Sequence, residues 1–181
     1  MQLVTIIWKL LNMTTHAEKR NLPYTPEQLF DLVAGVDEYP DFLPWCMSSN
    51  IYKRDGDNIF YANLTIGYKM VREKFGSKVT LKKPNEIHVE YLSGPMKYLS
   101  NKWKFIREED GSCTIDFYVD FEFKNFVLQN LMGMFFNEIV RRMVSSFEDR
   151  ARELYGENGV QAAASDEEDR GSSIASSHSP S

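Results

Sequence analysis

Side chains able to carry polar chemistry are scattered along this chain, whereas side chains able to hold an apolar guest recur at regular spacing. His16 begins a candidate strand, His88 falls out of phase with Ile87, Val89 and Tyr91, and His178 lies near the C-terminus, so no two histidines share a metal-binding spacing. Cys46 and Cys113 have apolar neighbours and no CxxC spacing, which predicts reduced core thiols rather than a zinc site or a disulfide. The sequence holds no GxSxG elbow, no phosphate-cradling glycine loop and no HExxH. Asp116, Asp120 and Glu122 alternate with aromatic residues, so they are expected to face solvent rather than work as a paired acid and base. By contrast, Trp103, Phe105, Phe117, Val119 and Phe121 share one strand parity, and Leu131, Met132, Phe135, Ile139 and Met143 share one helical face. A packed core accounts for any one of them. The aromatic and Met excess of the set points to a cavity, because such side chains line slots and adapt to their contents. An apolar guest there would be driven in by leaving water, at about 0.8 kcal/mol per buried CH₂.

The elements that must position these residues follow from a change of period. Ile115, Phe117, Val119, Phe121 and Phe123 recur at every second position, the mark of a half-buried strand. From Asn125 the spacing lengthens: Leu131, Phe135, Ile139, Met143 and Phe147 fall four apart beside Leu128, Met132, Phe136, Val140 and Val144, predicting a long helix with a broad apolar face. Glu138, Arg141, Arg142 and Glu148 are assigned to its wet side. Upstream, His16 to Leu22 reads as a strand, and Thr25-Pro26-Glu27-Gln28 as a capping box with proline at the first helical position, opening a short helix to Gly35. Val36 to Trp45, broken by Pro40 and Pro44, predicts a helical turn or loop of unusual apolar weight. Five further strands before Cys113–Phe123 are punctuated by Asp55-Gly56-Asp57-Asn58, Lys83-Pro84-Asn85, Ser93-Gly94-Pro95 and Glu109-Asp110-Gly111. Short connections of this kind build an antiparallel meander whose concave side the last helix covers.

The chain has 181 residues, 43% hydrophobic and 13% aromatic, which suits one folded domain, assigned to residues 16–155. Residues 1–15 are expected to lie outside it: Leu3 to Leu11 is too short to span a bilayer and lacks a secretory leader pattern, and Met13 is a candidate start. An Arg-rich, Ser-rich import presequence is also absent from this form. Residues 156–181 are expected to be a disordered acidic, Ser-rich tail, with Glu157, Asp166, Glu167, Glu168 and Asp169 against Arg170, so most of the formal charge of −5 lies there. Lysines crowd the middle strands, including Lys69, Lys74, Lys78, Lys82, Lys97, Lys102 and Lys104, and predict either an ordinary solvated face or a basic surface for anionic lipid or RNA. Phe42, Leu43, Pro44 and Trp45 form either a plug for one end of the core or a gate touching a membrane. In the second case Met96, Lys97 and Lys102 near the Gly94-Pro95 turn would add contact to anionic lipid.

The stretch Tyr39-Pro40-Asp41-Phe42-Leu43-Pro44-Trp45-Cys46, with Gly94-Pro95-Met96-Lys97-Tyr98-Leu99 and Trp103-Lys104-Phe105, resembles the coenzyme Q-binding START-domain family, one bacterial branch of which is named for a ribosome association toxin. The likeness runs from about Ala17 to Tyr155, and Met96 stands where many relatives carry Phe. The resemblance implies an α+β helix-grip fold, START or Bet v 1-like: a curved antiparallel sheet around the long C-terminal helix, with a hydrophobic tunnel between them. It further implies a non-enzymatic carrier of ubiquinone or a similar prenyl lipid, with the quinone as ligand, no required cofactor, peripheral membrane contact and no DNA partner. The location implied is the bacterial cytoplasm beside the inner membrane, or the matrix side of the mitochondrial inner membrane in a eukaryote. The toxin branch implies a ribosome-directed alternative, and the wider superfamily an aromatic polyketide cyclase.

Overall fold

Thr25 caps the first helix as its sequence predicts: the Gln28 N–H donates to the Thr25 hydroxyl at 3.3 Å, and the Thr25 N–H donates to the Gln28 side-chain oxygen at 2.9 Å. The computed structural model describes residues 14–68 and 71–165. Strand β1 (Thr14–Leu22) is followed by α1 (Pro26–Ala34), a 3₁₀ turn (Val36–Glu38) and α2 (Tyr39–Phe42). Six strands come next: β2 (Cys46–Asp55), β3 (Ile59–Tyr68), β4 (Val71–Lys82), β5 (Glu86–Ser93), β6 (Met96–Arg107) and β7 (Cys113–Phe123). The chain then enters α3 (Phe126–Tyr155). Strand and helix order are those read from the sequence.

All seven strands form one antiparallel sheet in the order β1-β7-β6-β5-β4-β3-β2. Each neighbour from β2 to β7 is also the next strand in sequence, so tight turns suffice. The first turn uses Gly56 at φ 65°, a left-handed conformation that a side chain disfavours. β1 docks on β7 at the edge opposite β2, and the chain therefore has to carry α1 and α2 across one end of the concave face.

Helix α3 is about 45 Å long by its 30 residues. The Asn125 side chain accepts the Val127 N–H at 2.8 Å at its start, and Gly156, at φ 77°, ends it by donating its N–H to Arg152 O at 2.9 Å. Gln129, in the first turn, is buried and accepts the Phe123 N–H at 2.8 Å, tying the end of β7 to the helix.

The ordered chain runs past the expected domain end. The tail assigned to residues 156–181 is corrected for its first part: residues 159–165 are helical and dock on the corner before α1. The Gln28 amide donates to Gly159 O at 3.1 Å, the Tyr24 hydroxyl donates to Gly156 O at 3.0 Å, and a Cβ at Gly159 would stand 2.4 Å from the Tyr24 ring. The averaged composition of the tail concealed a short Ala-rich segment that a small residue lets approach. Residues 1–13 and 166–181 lie outside the described residues.

Two apolar clusters occupy the concave side. One joins Leu29, Phe30 and Leu32 of α1 to Phe60, Ile87, Phe105 and Cys113 of the sheet, with Ala151 of α3 above them. The other joins Met96, Phe117, Val119, Phe121 and Phe123, covered by the partly buried Leu128, Met132 and Phe136 of α3.

Candidate functional site

The seam between α3 and the sheet holds two apolar cavities. The first, of about 50 Å³, is walled by Leu29, Val33, Trp103, Phe117, Met143 and Phe147, with Glu18, Arg20 and Glu148 along one side. The second, of about 80 Å³, is walled by Trp45, Ile66, Phe123, Leu131, Met132, Phe135 and Ile139, with Glu73 beside them. Phe117 and Phe123 lie on the same face of β7, roughly 20 Å apart at strand spacing. Val119 and Phe121 fill the stretch between, and the Phe121 ring meets Phe136 of α3 at 5.9 Å between centroids. The continuous tunnel that the resemblance implies is thus corrected to two chambers with an aromatic partition. Each is smaller than the cavity of about 150 Å³ that admits a benzene ring, so a prenyl chain enters only if α3 moves outward.

The helix is seated in a way that allows such movement. Of its 30 residues only Gln129, Val140 and Ala151 are fully buried, and the rest of the apolar face is half-buried. Its C-terminal half is clamped: Arg20 donates to Glu148 at 2.6 Å, Arg150 to Glu38 at 3.1 Å, and the Tyr155 hydroxyl to Gln28 O at 3.1 Å.

Of the ten residues expected to line a tunnel, Trp103, Phe117 and Met143 line the first chamber, and Leu131, Met132, Phe135 and Ile139 the second. Val119 and Phe121 form the partition. Phe105 lines neither chamber: it is 3% exposed and packs against Phe30 at 5.6 Å, because α1 covers that end of the sheet. The proposed gate is also divided. Phe42 packs on Phe147 at 5.2 Å, and Leu43 and Met96 are buried, so these three belong to the interior. Pro44 is exposed, Trp45 is half-buried under the Arg142 guanidinium at 5.8 Å, and Lys97 and Lys102 lie exposed, Lys97 in an ion pair with Glu122.

Sequence reasoning missed a charged rim. His16, Glu18 and Arg20 alternate along β1 in phase with Leu22, and that parity was the available signal. Glu148, assigned to the wet side of the helix, instead faces β1, pairs with Arg20 and lines the first chamber. Burial pushes the Glu18 carboxyl up, but hydrogen bonds from Arg20 and His16 outweigh it and hold the group below its ordinary value. Bonds to Glu148 and Glu18 in turn raise Arg20. Burial pushes the Cys113 thiol up to about 11 and raises Cys46 as well, so neither thiol is a nucleophile at neutral pH. Sequence reasoning also missed an exposed apolar group around the start of α3: Phe126 is 57%, Val127 71% and Met134 77% exposed, and Met47 of β2 lies against Gly67 on the second chamber's wall. Among the described residues no cluster of His, Cys, Asp or Glu could hold a metal ion, and no helix is long and apolar enough to cross a membrane.

This arrangement, a long helix gripped by a curved sheet with an apolar seam, matches known proteins. A family model described as polyketide cyclase/dehydrase and lipid transport matches residues 22–148. The chain belongs to this family. Within its reach, the chain is 32% identical over 153 residues to the coenzyme Q-binding protein COQ10 homolog B, mitochondrial, of Xenopus laevis, a match spanning 82% of this chain and 62% of that protein. It is also 32% identical over 146 residues to the ribosome association toxin RatA of Rickettsia prowazekii, spanning 78% of this chain and 99% of that one. Among solved structures, the 18 kDa protein CC1736 of Caulobacter crescentus is 34% identical with a TM-score of 0.66, covering 79% of this chain and 99% of its own. The Zhui aromatase/cyclase of a Streptomyces strain has a TM-score of 0.68 at 12% identity, covering 78% of this chain and 96% of its own, and shows the fold alone. The helix-grip architecture expected of the family is the one observed.

Proposed function

We propose that this protein binds ubiquinone or a similar prenyl lipid in the seam beneath α3 and carries it to and from a membrane surface, acting as a binding protein rather than an enzyme. The observation that carries the reading is the apolar seam itself, two greasy chambers under a helix whose covering face is half-buried along most of its length. The relative named for coenzyme Q binding supplies the ligand class. Exposed Phe126, Val127 and Met134 near the second chamber suit a bilayer interface, where a guest could pass without crossing water. The charged groups at the first chamber, Glu18, Arg20 and Glu148, are engaged with one another, which supports binding rather than turnover. In this reading the working location is the inner membrane of a bacterium, or its counterpart facing the mitochondrial matrix.

Lipid extraction of the purified protein followed by mass spectrometry is expected to recover a quinone, and Phe135→Asp to abolish that recovery in a folded protein, since it places a charge on the second chamber's wall. Repeated recovery of lipid-free protein from quinone-rich cells, or undiminished quinone in the Asp variant, rejects the reading.

A ribosome-directed role is the second reading. Arg72, Lys74, Lys102 and Lys104 share the convex face, and none of them forms an ion pair among the described residues. Relatives named for ribosome association match nearly their whole length. Sedimentation of lysate through sucrose separates the two: salt-sensitive migration with ribosomal subunits supports this role, and flotation with membranes supports the carrier.

A further inference from the structure

The sheet is split between β5 and β6. Their pairing runs from Glu86↔Lys104 to Glu90↔Ser100 and stops there. Beyond it the end of β5 stays with β4, through Ser77↔Tyr91 and Gly76↔Ser93, while the start of β6 stays with β7, through Met96↔Phe123 and Leu99↔Phe121. Both arms carry a register irregularity at that point, which leaves Leu92 without an opposite residue on β4 and Lys97 without one on β7. Such bulges bend a strand and re-aim its side chains. The hairpin tip is pinned as well: Gly94, at φ 129°, sits so close to β4 that a Cβ there would stand 2.7 Å from Lys74 O. Between the arms lies an open cleft of about 440 Å³, walled by Tyr91, Leu99 and Asn101 from the concave side and by His88, Glu90, Tyr98 and Lys102 from the convex side.

Two of these residues each carry a buried polar atom, the Tyr91 hydroxyl and the Asn101 side-chain oxygen, and neither finds a hydrogen-bond partner among the described residues. Buried polar groups are nearly always paired, and leaving one unpaired costs stability. Both residues are on the concave face. Asn101 lies opposite Val89, and Tyr91 follows two residues along β5 on the same side. Tyr91 also packs against the cluster of Met96, Phe117, Val119, Phe121 and Phe123. A donor hydroxyl and an acceptor oxygen are thus left unpaired on the concave face of neighbouring strands.

We infer that Tyr91 and Asn101 bind the oxygenated ring of the lipid, the Tyr91 hydroxyl donating to a ring carbonyl and the Asn101 oxygen accepting from a ring hydroxyl when the ring is reduced. The inference rests on the quinone-carrier reading and adds where the ring sits: at the β5–β6 split, with the tail in the chambers under α3.

The test is calorimetric titration of the full chain with two probes, a ubiquinone carrying a two-isoprene tail and the same tail on an unsubstituted phenyl ring. The wild type is expected to prefer the quinone by about tenfold or more, and Tyr91→Phe to lose about tenfold of that preference while still binding the phenyl compound. Asn101→Leu is expected to do the same for the reduced quinol. Because the hydroxyl is unpaired in the unliganded protein, Tyr91→Phe should also raise its melting midpoint by about 2–4 °C. An unchanged preference in Tyr91→Phe, or a lowered midpoint, overturns the inference. Equal binding of both probes by the wild type sinks the ring site alone, whereas binding of neither sinks the carrier reading and the ring site with it.

Discussion

The two halves of α3 lie on the same sheet but are held differently. Its C-terminal half closes over a region that α1 also fills, where Leu29, Phe30, Phe60, Ile87 and Cys113 are at most 2% exposed and three polar clamps fasten the helix to neighbouring elements. Its N-terminal half lies over Phe121 and Phe123, and the side chains it places there, Leu128, Met132 and Phe136, are only half-buried. Where side chains of both α1 and α3 cover the sheet, only the smaller chamber is left. The same face covered by one helix keeps room, and it is there that the larger chamber and the exposed Phe126, Val127 and Met134 are found.

The largest effect separating the halves is expected from truncation. Phe30→Ala should cost about 3–5 kcal/mol in urea unfolding, whereas Met132→Ala on the loose half should cost under about 2 kcal/mol, because less surface leaves water there on folding. Equal losses would mean that the two ends are equally packed. A smaller effect is expected from filling the second chamber: Leu131→Phe should change stability by less than about 1.5 kcal/mol while reducing co-purified quinone several-fold, measured by mass spectrometry. A large destabilisation instead would show that the chamber has no room to spare. The smallest effect concerns the clamped half. The Glu18 carboxyl is held below its ordinary value of 4.5, so its contribution is complete above that pH and is lost as pH falls through the lowered value. Acid titration of Glu18→Gln against the parent should therefore show that the parent alone loses this contribution, on the order of 1 kcal/mol or less, below pH 4.5. An identical acid profile would show that the Glu18 bond to Arg20 adds nothing to stability.

Much of the scaffold was legible because it is local. The Thr25 capping box, the Asp55-Gly56 turn and the alternation through β7 each depend on residues a few positions apart, and all appear as read. The candidate site was legible only as a face. Phe105 and Trp103 have the same parity on β6, yet α1 buries Phe105 in solid core and leaves Trp103 on a chamber wall. Glu148 sits beside the apolar stripe and seemed wet by type, but β1 brings Arg20 to it across the concave edge. Phe42 and Leu43 had the composition of a membrane gate and turned inward, because Phe147 offers the aromatic contact.

By itself the sequence determined the elements, their order and which side of each is greasy, since period, caps and turn residues act within a few positions of the chain. Tertiary structure alone decided which greasy face would be filled and which left with room, where the sheet parts between β5 and β6, and that Tyr91 and Asn101 keep unpaired polar atoms beside that parting. Those outcomes depend on register and on what lies above a residue, and both are set by partners remote in the chain.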